Sequence, residues 1–147
     1  MAETEIDARQ QAIPMVSYED VAAAAEWLVT AFGFAEIGQR YTDANGRVTH
    51  AELELAGARV MLGWPGPEYE SPRHHAEGCE CAREWLSVPY IVDGVHISVD
   101  DLDQHYEHAK AAGARIPQEP KDEPYARLYN AEDLEGHRWM FMQAPES

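Results

Sequence analysis

Apolar and polar positions along the chain fall into the same order twice. The stretch V-S-Y-E-D-V-A-A-A-A-E-W-L-V-T-A-F-G-F (16–34) opens with a short apolar run and passes an acidic turn. It then places Val21, Ala24, Leu28 and Phe32 at helical spacing. The stretch I-S-V-D-D-L-D-Q-H-Y-E-H-A-K-A-A-G-A (97–114) repeats this with Leu102, Tyr106 and Ala109. Asp20 and Asp101 stand where helix N-caps belong, the second with Gln104 in a capping-box position, and Gly33 and Gly113 stand at the C-caps. Further on, L-A-G-A-R-V-M-L (55–62) and L-E-G-H-R-W-M-F (134–141) share Leu, Gly, Arg and Met at a constant offset of 79. Both read as strand, turn, strand, with Gly57 and Gly136 in the turn.

Each unit therefore reads strand, helix, then three strands. The first comprises 12–18, 21–32, 36–42, 47–55 and 58–63; the second comprises 94–99, 102–112, 114–118, 125–131 and 137–143. The chain divides into a polar tail (1–11), module one (12–63), an insert (64–93) and module two (94–143), all in a single domain. The insert opens on W-P-G-P and contains H-A-E-G-C-E-C-A-R-E-W-L, which reads as one short helix. A connection of that length in a compact domain often covers or shapes a site.

Composition narrows the function classes. The chain has 147 residues, with 11 Lys+Arg against 27 Asp+Glu, for a formal net charge of −16. A nucleic-acid binder needs a basic footprint and an anionic membrane attracts one, so neither partner is expected. No run reaches the roughly 18 apolar residues of a membrane helix, and the polar N-terminus has no signal-peptide core. Two cysteines, Cys79 and Cys81, are too few and too close together for a disulfide scaffold, which points to the reducing cytoplasm. The acidity is spread over both units and the insert. It serves solubility or a preference for a cationic ligand.

A duplicated βαβββ unit ending in D-L-E-G-H-R-W-M-F, with Y-E-D-V-A-A-A-A-E-W-L-V-T-A-F-G-F near its start, resembles the vicinal oxygen chelate superfamily. This superfamily holds glyoxalases, bleomycin-resistance proteins and dioxygenases. The resemblance spans about residues 12–143 and implies an α+β fold: two βαβββ modules forming a paired half-barrel around one cup, commonly as a homodimer. Metal-dependent members place a His, Gln or Glu ligand on the first and last strands of each unit. Carried over by register, those positions are Ile13, Met61, Gly94 and Met140, and none suits a hard cation. A two-residue shift in the second unit would bring in His96.

Strand alternation assigns faces. The cup side takes Ile13, Met15 and Ser17; Met61; Gly94, His96 and Ser98; and Arg138, Met140 and Met142. The helix side takes Val16, Val60, Leu62, Val95, Ile97, Val99, Trp139 and Phe141. Methionines are soft and adaptable, which suits an irregular organic ligand as well as it suits gap-filling in a core. His50 and Glu52 share one face of V-T-H-A-E-L-E-L, either solvated or turned into the cup. His96 interrupts an apolar strand, as a hydrogen-bonded core residue or a ligand contact. Tyr129 and Arg127 are expected to line the other half of the cup, and Trp64 and Trp85, which flank the insert, to serve as an aromatic lid or as anchors of the insert to the body. In the insert, His74, His75, Cys79 and Cys81 are metal-capable types without the spacing of a zinc knuckle.

Three readings follow. The first is a metal-free protein, without a cofactor, that binds a small amphipathic molecule through Met15, His50, Glu52, Met61, Trp64, His96, Tyr129, Met140 and Met142. The second is a superfamily enzyme, a glyoxalase-type lyase or isomerase or a dioxygenase, with one divalent metal on His50, Glu52 and His96. The third is recognition of protein or peptide through the acidic face, with no specific motif behind it.

Overall fold

Two aspartates start the helices around which each unit is built. The Asp20 side chain accepts a hydrogen bond from the Ala23 amide, and the Asp101 side chain accepts one from the Gln104 amide. Each satisfies an amide that the first helical turn leaves without a partner. In the computed structural model, which describes residues 12–89 and 93–145, unit one runs β1 (Met15–Ser17), α1 (Val21–Phe32), β2 (Ala35–Thr42), β3 (Val48–Leu55) and β4 (Ala58–Gly63). The insert carries α2 (Pro72–Gly78) and α3 (Glu80–Leu86). Unit two runs β5 (Gly94–Ser98), α4 (Leu102–Ala111), β6 (Arg115–Glu123), β7 (Ala126–Glu132) and β8 (Arg138–Gln143). The expected tail at 1–11 lies outside the described residues.

Each unit folds into its own four-stranded sheet, in the orders β1-β4-β3-β2 and β5-β8-β7-β6, and the sheets are not closed into a barrel. The first and last strands of each unit pair in parallel, and the other pairs are antiparallel. This is the α+β architecture of two βαβββ modules that the repeat implies.

Two elements differ from the sequence pattern. β6 continues to Glu123, past Pro117 and Pro120. It is the outer strand of its sheet, where a residue without an N–H costs no ladder bond, and its register with β7 shifts on both sides of Gln118. The insert forms two helices rather than one. Ser71 caps α2, with Pro72 in the first turn, and Cys79 adopts extended backbone (φ −140°, ψ 115°), ending α2 and starting α3.

The two units share one hydrophobic core. The helix-side residues Val16, Val60, Leu62, Ile97, Trp139 and Phe141 are all buried. Phe32, at the end of α1, lies edge-on to Trp139 (5.9 Å) and Phe141 (4.9 Å), and Phe34 packs on Trp139 at 5.4 Å. The helix of unit one thus packs on the sheet of unit two, and α4 returns the contact: His105 Nε2 lies 2.7 Å from the Phe32 carbonyl and His108 Nε2 lies 2.7 Å from the Thr30 carbonyl.

Because Phe32 has no exposed surface and serves both units, its loss is felt by the whole domain. Phe32→Ala is expected to cost about 3–5 kcal/mol. Urea unfolding followed by far-UV circular dichroism should show one transition shifted to lower denaturant, not separate transitions for the two units.

Candidate functional site

Residues paired across neighbouring strands share a face, so the ladder register defines the side away from the helices. In the first sheet it aligns Met15, Met61, Glu52 and Ile37 in one row, and Ser17, Gly63, His50 and Tyr41 in another. His50 and Glu52 therefore share the cup side with Met15 and Met61. His50 Nε2 and Glu52 Oε2 are 3.9 Å apart, Arg59 donates to Glu52 Oε1 at 2.5 Å, and the Tyr41 ring meets His50 at 5.6 Å. In the second sheet, His96 aligns with Met140 and Asn130, Ser98 with Met142 and Leu128, and Gly94 with Arg138 and Glu132.

The direct partners of Met61 and Met140 on the first strands are Met15 and His96. Ile13 and Gly94, the positions carried over by register, stand two residues earlier. The row in which a metal centre is expected thus holds Met15, Met61, His96 and Met140. His50 and Glu52 belong to one sheet and His96 to the other, and among the described residues no group of three or more His, Cys, Asp and Glu side chains could hold a metal ion. The donor set does not fit the metal that the superfamily implies. The same holds in the insert, where His74 pairs with Glu19 and Glu70, His75 pairs with Glu70, and Cys79 and Cys81 are free.

Tyr129 and Arg127 fall on the other face from the one expected. Tyr129 pairs with Phe141 on the helix side and has no exposed surface. Its hydroxyl lies 2.6 Å from His105 Nδ1. Since His105 Nε2 must donate to the Phe32 carbonyl, Nδ1 accepts from Tyr129. Arg127 likewise faces α4, where it pairs with Asp103. Trp64 packs partly buried against the core, with the Arg47 guanidinium 4.3 Å above its ring. That is the placement of an anchor rather than a lid.

The two cup faces are not equivalent. Met15 and Tyr41 in unit one are 61% and 57% exposed. In unit two the end of the insert lies across the cup face: Arg138 donates to the Leu86 and Val88 carbonyls, and Asn130 Nδ2 donates to the Pro89 carbonyl. Asn130, Glu132 and Arg138 are buried beneath it. The Glu132 carboxylate gathers Arg73, Arg115 and Arg138. The other end of the insert is fixed as well. Glu19 accepts from the Ser71 amide, Tyr69 donates to the Ser17 carbonyl, and Arg73 donates to the carbonyls of Leu134 and Asp133. Sequence reasoning placed Arg138 on the cup face but gave it no task. The signal available was an arginine opening the apolar run W-M-F-M on a face assigned to the cup, which demands a partner once buried.

Removing the Arg138 tie frees the 86–89 segment. Arg138→Gln is expected to lose about 1.5–3 kcal/mol, the worth of charged hydrogen bonds, and limited proteolysis should then cleave the insert faster than in the parent protein. A second expectation concerns pH. Burial lowers the His105 pKa from its ordinary 6.5, against the opposing pull of the Phe32 carbonyl. As pH falls through 6.5 the unfolded chain takes up this proton and the folded one resists it, so stability present at neutral pH declines over that window. Urea titrations at about pH 7.5 and about pH 5 should show a smaller decline in His105→Gln.

Comparison with known proteins bears on the whole of this architecture. Residues 12–141 match the model of the Glyoxalase/Bleomycin resistance protein/Dioxygenase superfamily. The crystal structure of TioX from Micromonospora sp. ML1 is 32% identical, with 93% of this chain and 98% of that one covered and a TM-score of 0.66. A mutant of the fosfomycin resistance protein FosX from Listeria monocytogenes, complexed with Mn(II) and 1S,2S-dihydroxypropylphosphonic acid, shares the fold at 14% identity (88% and 86% covered, TM-score 0.57). An uncharacterised protein of Mycobacterium tuberculosis is 27% identical over 135 residues, 88% of this chain and 72% of that protein. No helix among the described residues is long and apolar enough to cross a membrane. With the repeat, the paired sheets and this match in agreement, the chain belongs to the Glyoxalase/Bleomycin resistance protein/Dioxygenase superfamily.

Proposed function

We propose that this protein binds a small amphipathic organic molecule on its cup side without a metal. The observation that carries the reading is the content of the central row: Met15 against Met61, and His96 against Met140. Thioether side chains are poor ligands for hard divalent ions and good, adaptable partners for irregular apolar surfaces. His50, Glu52 and the exposed Tyr41 add a polar, partly aromatic border to the Met15–Met61 patch. The charge of −16 favours a cationic group on the ligand. A homodimer fits the same reading, since a second copy could cover Met15 and Tyr41 and complete the open cup. A reducing cytoplasm suits the free Cys79 and Cys81.

One observation favours the metal-dependent alternative. His50 and Glu52 present two donors on one face, and the FosX neighbour was solved with Mn(II). A third donor would have to come from outside the described set.

Elemental analysis of protein purified without chelator separates the two. The expected result is far less than one divalent ion per chain, with a melting temperature unmoved by added Mn²⁺, Fe²⁺, Ni²⁺ or Zn²⁺. One bound ion per chain, lost together with a glyoxalase- or dioxygenase-type turnover on chelation, would overturn the proposal. Light scattering on the same sample should give twice the 16.5 kDa chain mass.

A further inference from the structure

The insert is held at both ends, and its middle spans a cavity of about 530 Å³ above the start of β8. That volume falls within the range of small-molecule sites. None of the four cup-side methionines lines it, so it stands apart from the row described above. The wall under the insert is apolar, made by Pro72, Ala82, Trp85 and Leu86. Trp85 is 60% exposed, a large indole surface left in water at the edge of this wall.

Both histidines and the aspartate among the lining residues keep an acceptor atom. Arg138 contributes to the wall, with Nε donating to Glu132 and Nη1 and Nη2 donating to the Val88 and Leu86 carbonyls. His137 Nε2 lies 2.6 Å from the Ser17 carbonyl and must donate to it, which leaves Nδ1 as an acceptor. His75 turns Nδ1 to Glu70. Asp93 also lines the cavity, exposed, and its carboxylate has no hydrogen-bond or ion-pair partner among the described residues.

We propose that this cavity is a second binding site, for a planar aromatic cation that stacks on Trp85 and places its positive group against Asp93. An indole face attracts cations through its quadrupole, and an unpaired carboxylate beside it adds a charge-assisted contact. The acidic body raises the local concentration of such a ligand at low salt. Because the insert is hydrogen-bonded to the body at both ends, the site exists before the ligand arrives, and little ordering opposes binding. The proposal stands whether or not the cup side binds an organic molecule.

Calorimetric titration of the full chain with proflavine, a planar acridinium, tests it. The expected result is a saturable binding event that weakens about tenfold or more in Trp85→Ala and in Asp93→Asn. Trp85→Phe should retain most of the affinity. Ala82→Trp, which fills the cavity, should abolish binding, while Val29→Ala, on the exposed side of α1 and remote from both sites, leaves it unchanged. Both key positions are exposed, so circular dichroism should show their variants folded. Absence of saturable binding, unchanged affinity in Trp85→Ala and Asp93→Asn, or equal affinity for the anionic dye 1-anilinonaphthalene-8-sulfonate would overturn the assignment.

Discussion

A carboxylate with no exposed surface holds the two units in register. Leaving Asp133 charged in the interior would cost several kcal/mol unless each oxygen found partners. Oδ1 accepts from the Glu135 and His137 amides, and Oδ2 accepts from the Tyr18 hydroxyl and the Trp139 indole. Tyr18 comes from unit one and Trp139 from unit two, so Oδ2 gains its full set of partners only when both units are in place. Burial and the neighbouring carboxylate together push the Tyr18 pKa well up, which keeps its proton in this bond. The same turn then serves everything around it. Glu135 accepts from the Glu19 and Asp20 amides at the start of α1, His137 donates to Ser17, and Arg73 of the insert wraps the 133–134 carbonyls.

Unit one carries a related turn, in which Asp43 Oδ1 accepts from the Asn45 and Arg47 amides. That turn joins β2 to β3, whereas Asp133 stands between β7 and β8. The sequence offset of 79 is therefore local to the last strand of each unit, and in unit one the β3–β4 connection is a two-residue turn, Ala56–Gly57, with both φ values positive. Duplication supplied two similar frames, and the different placement of the longer turn made one of them the dock for the insert. From this comes the asymmetry of the cup. Unit one leaves Met15, Met61, His50 and Glu52 facing outward, while unit two buries Glu132, Asn130 and Arg138 beneath the insert.

Much of the frame was legible in the sequence for identifiable reasons. The caps at Asp20 and Asp101, the helix periodicity and the phase of the β1, β4, β5 and β8 strands all follow from strong local patterns. Where a pattern weakens, the reading fails. In A-R-L-Y-N-A-E, six of seven residues of β7 are buried, so no period of two reveals which face Tyr129 takes. The strand expected at 114–118 runs on past Pro120 to Glu123, which the outermost position in the sheet permits. The path of the insert depends on single side chains reaching main-chain carbonyls from 50 residues away, as Arg138 does with Val88, and no periodicity encodes such a contact. The cavity beneath it, with Trp85 and Asp93 at its border, was out of reach for the same reason.

On this reading the superfamily frame has exchanged a hard-donor centre for a soft, thioether-lined face. The most direct measurement is a crystal structure with anomalous data collected at the manganese, iron and zinc edges. Anomalous signal from sulfur alone is expected near the cup, with water or organic density against Met15 and Met61. A metal peak at about 2.0–2.2 Å from a His50 nitrogen and a Glu52 oxygen would contradict it.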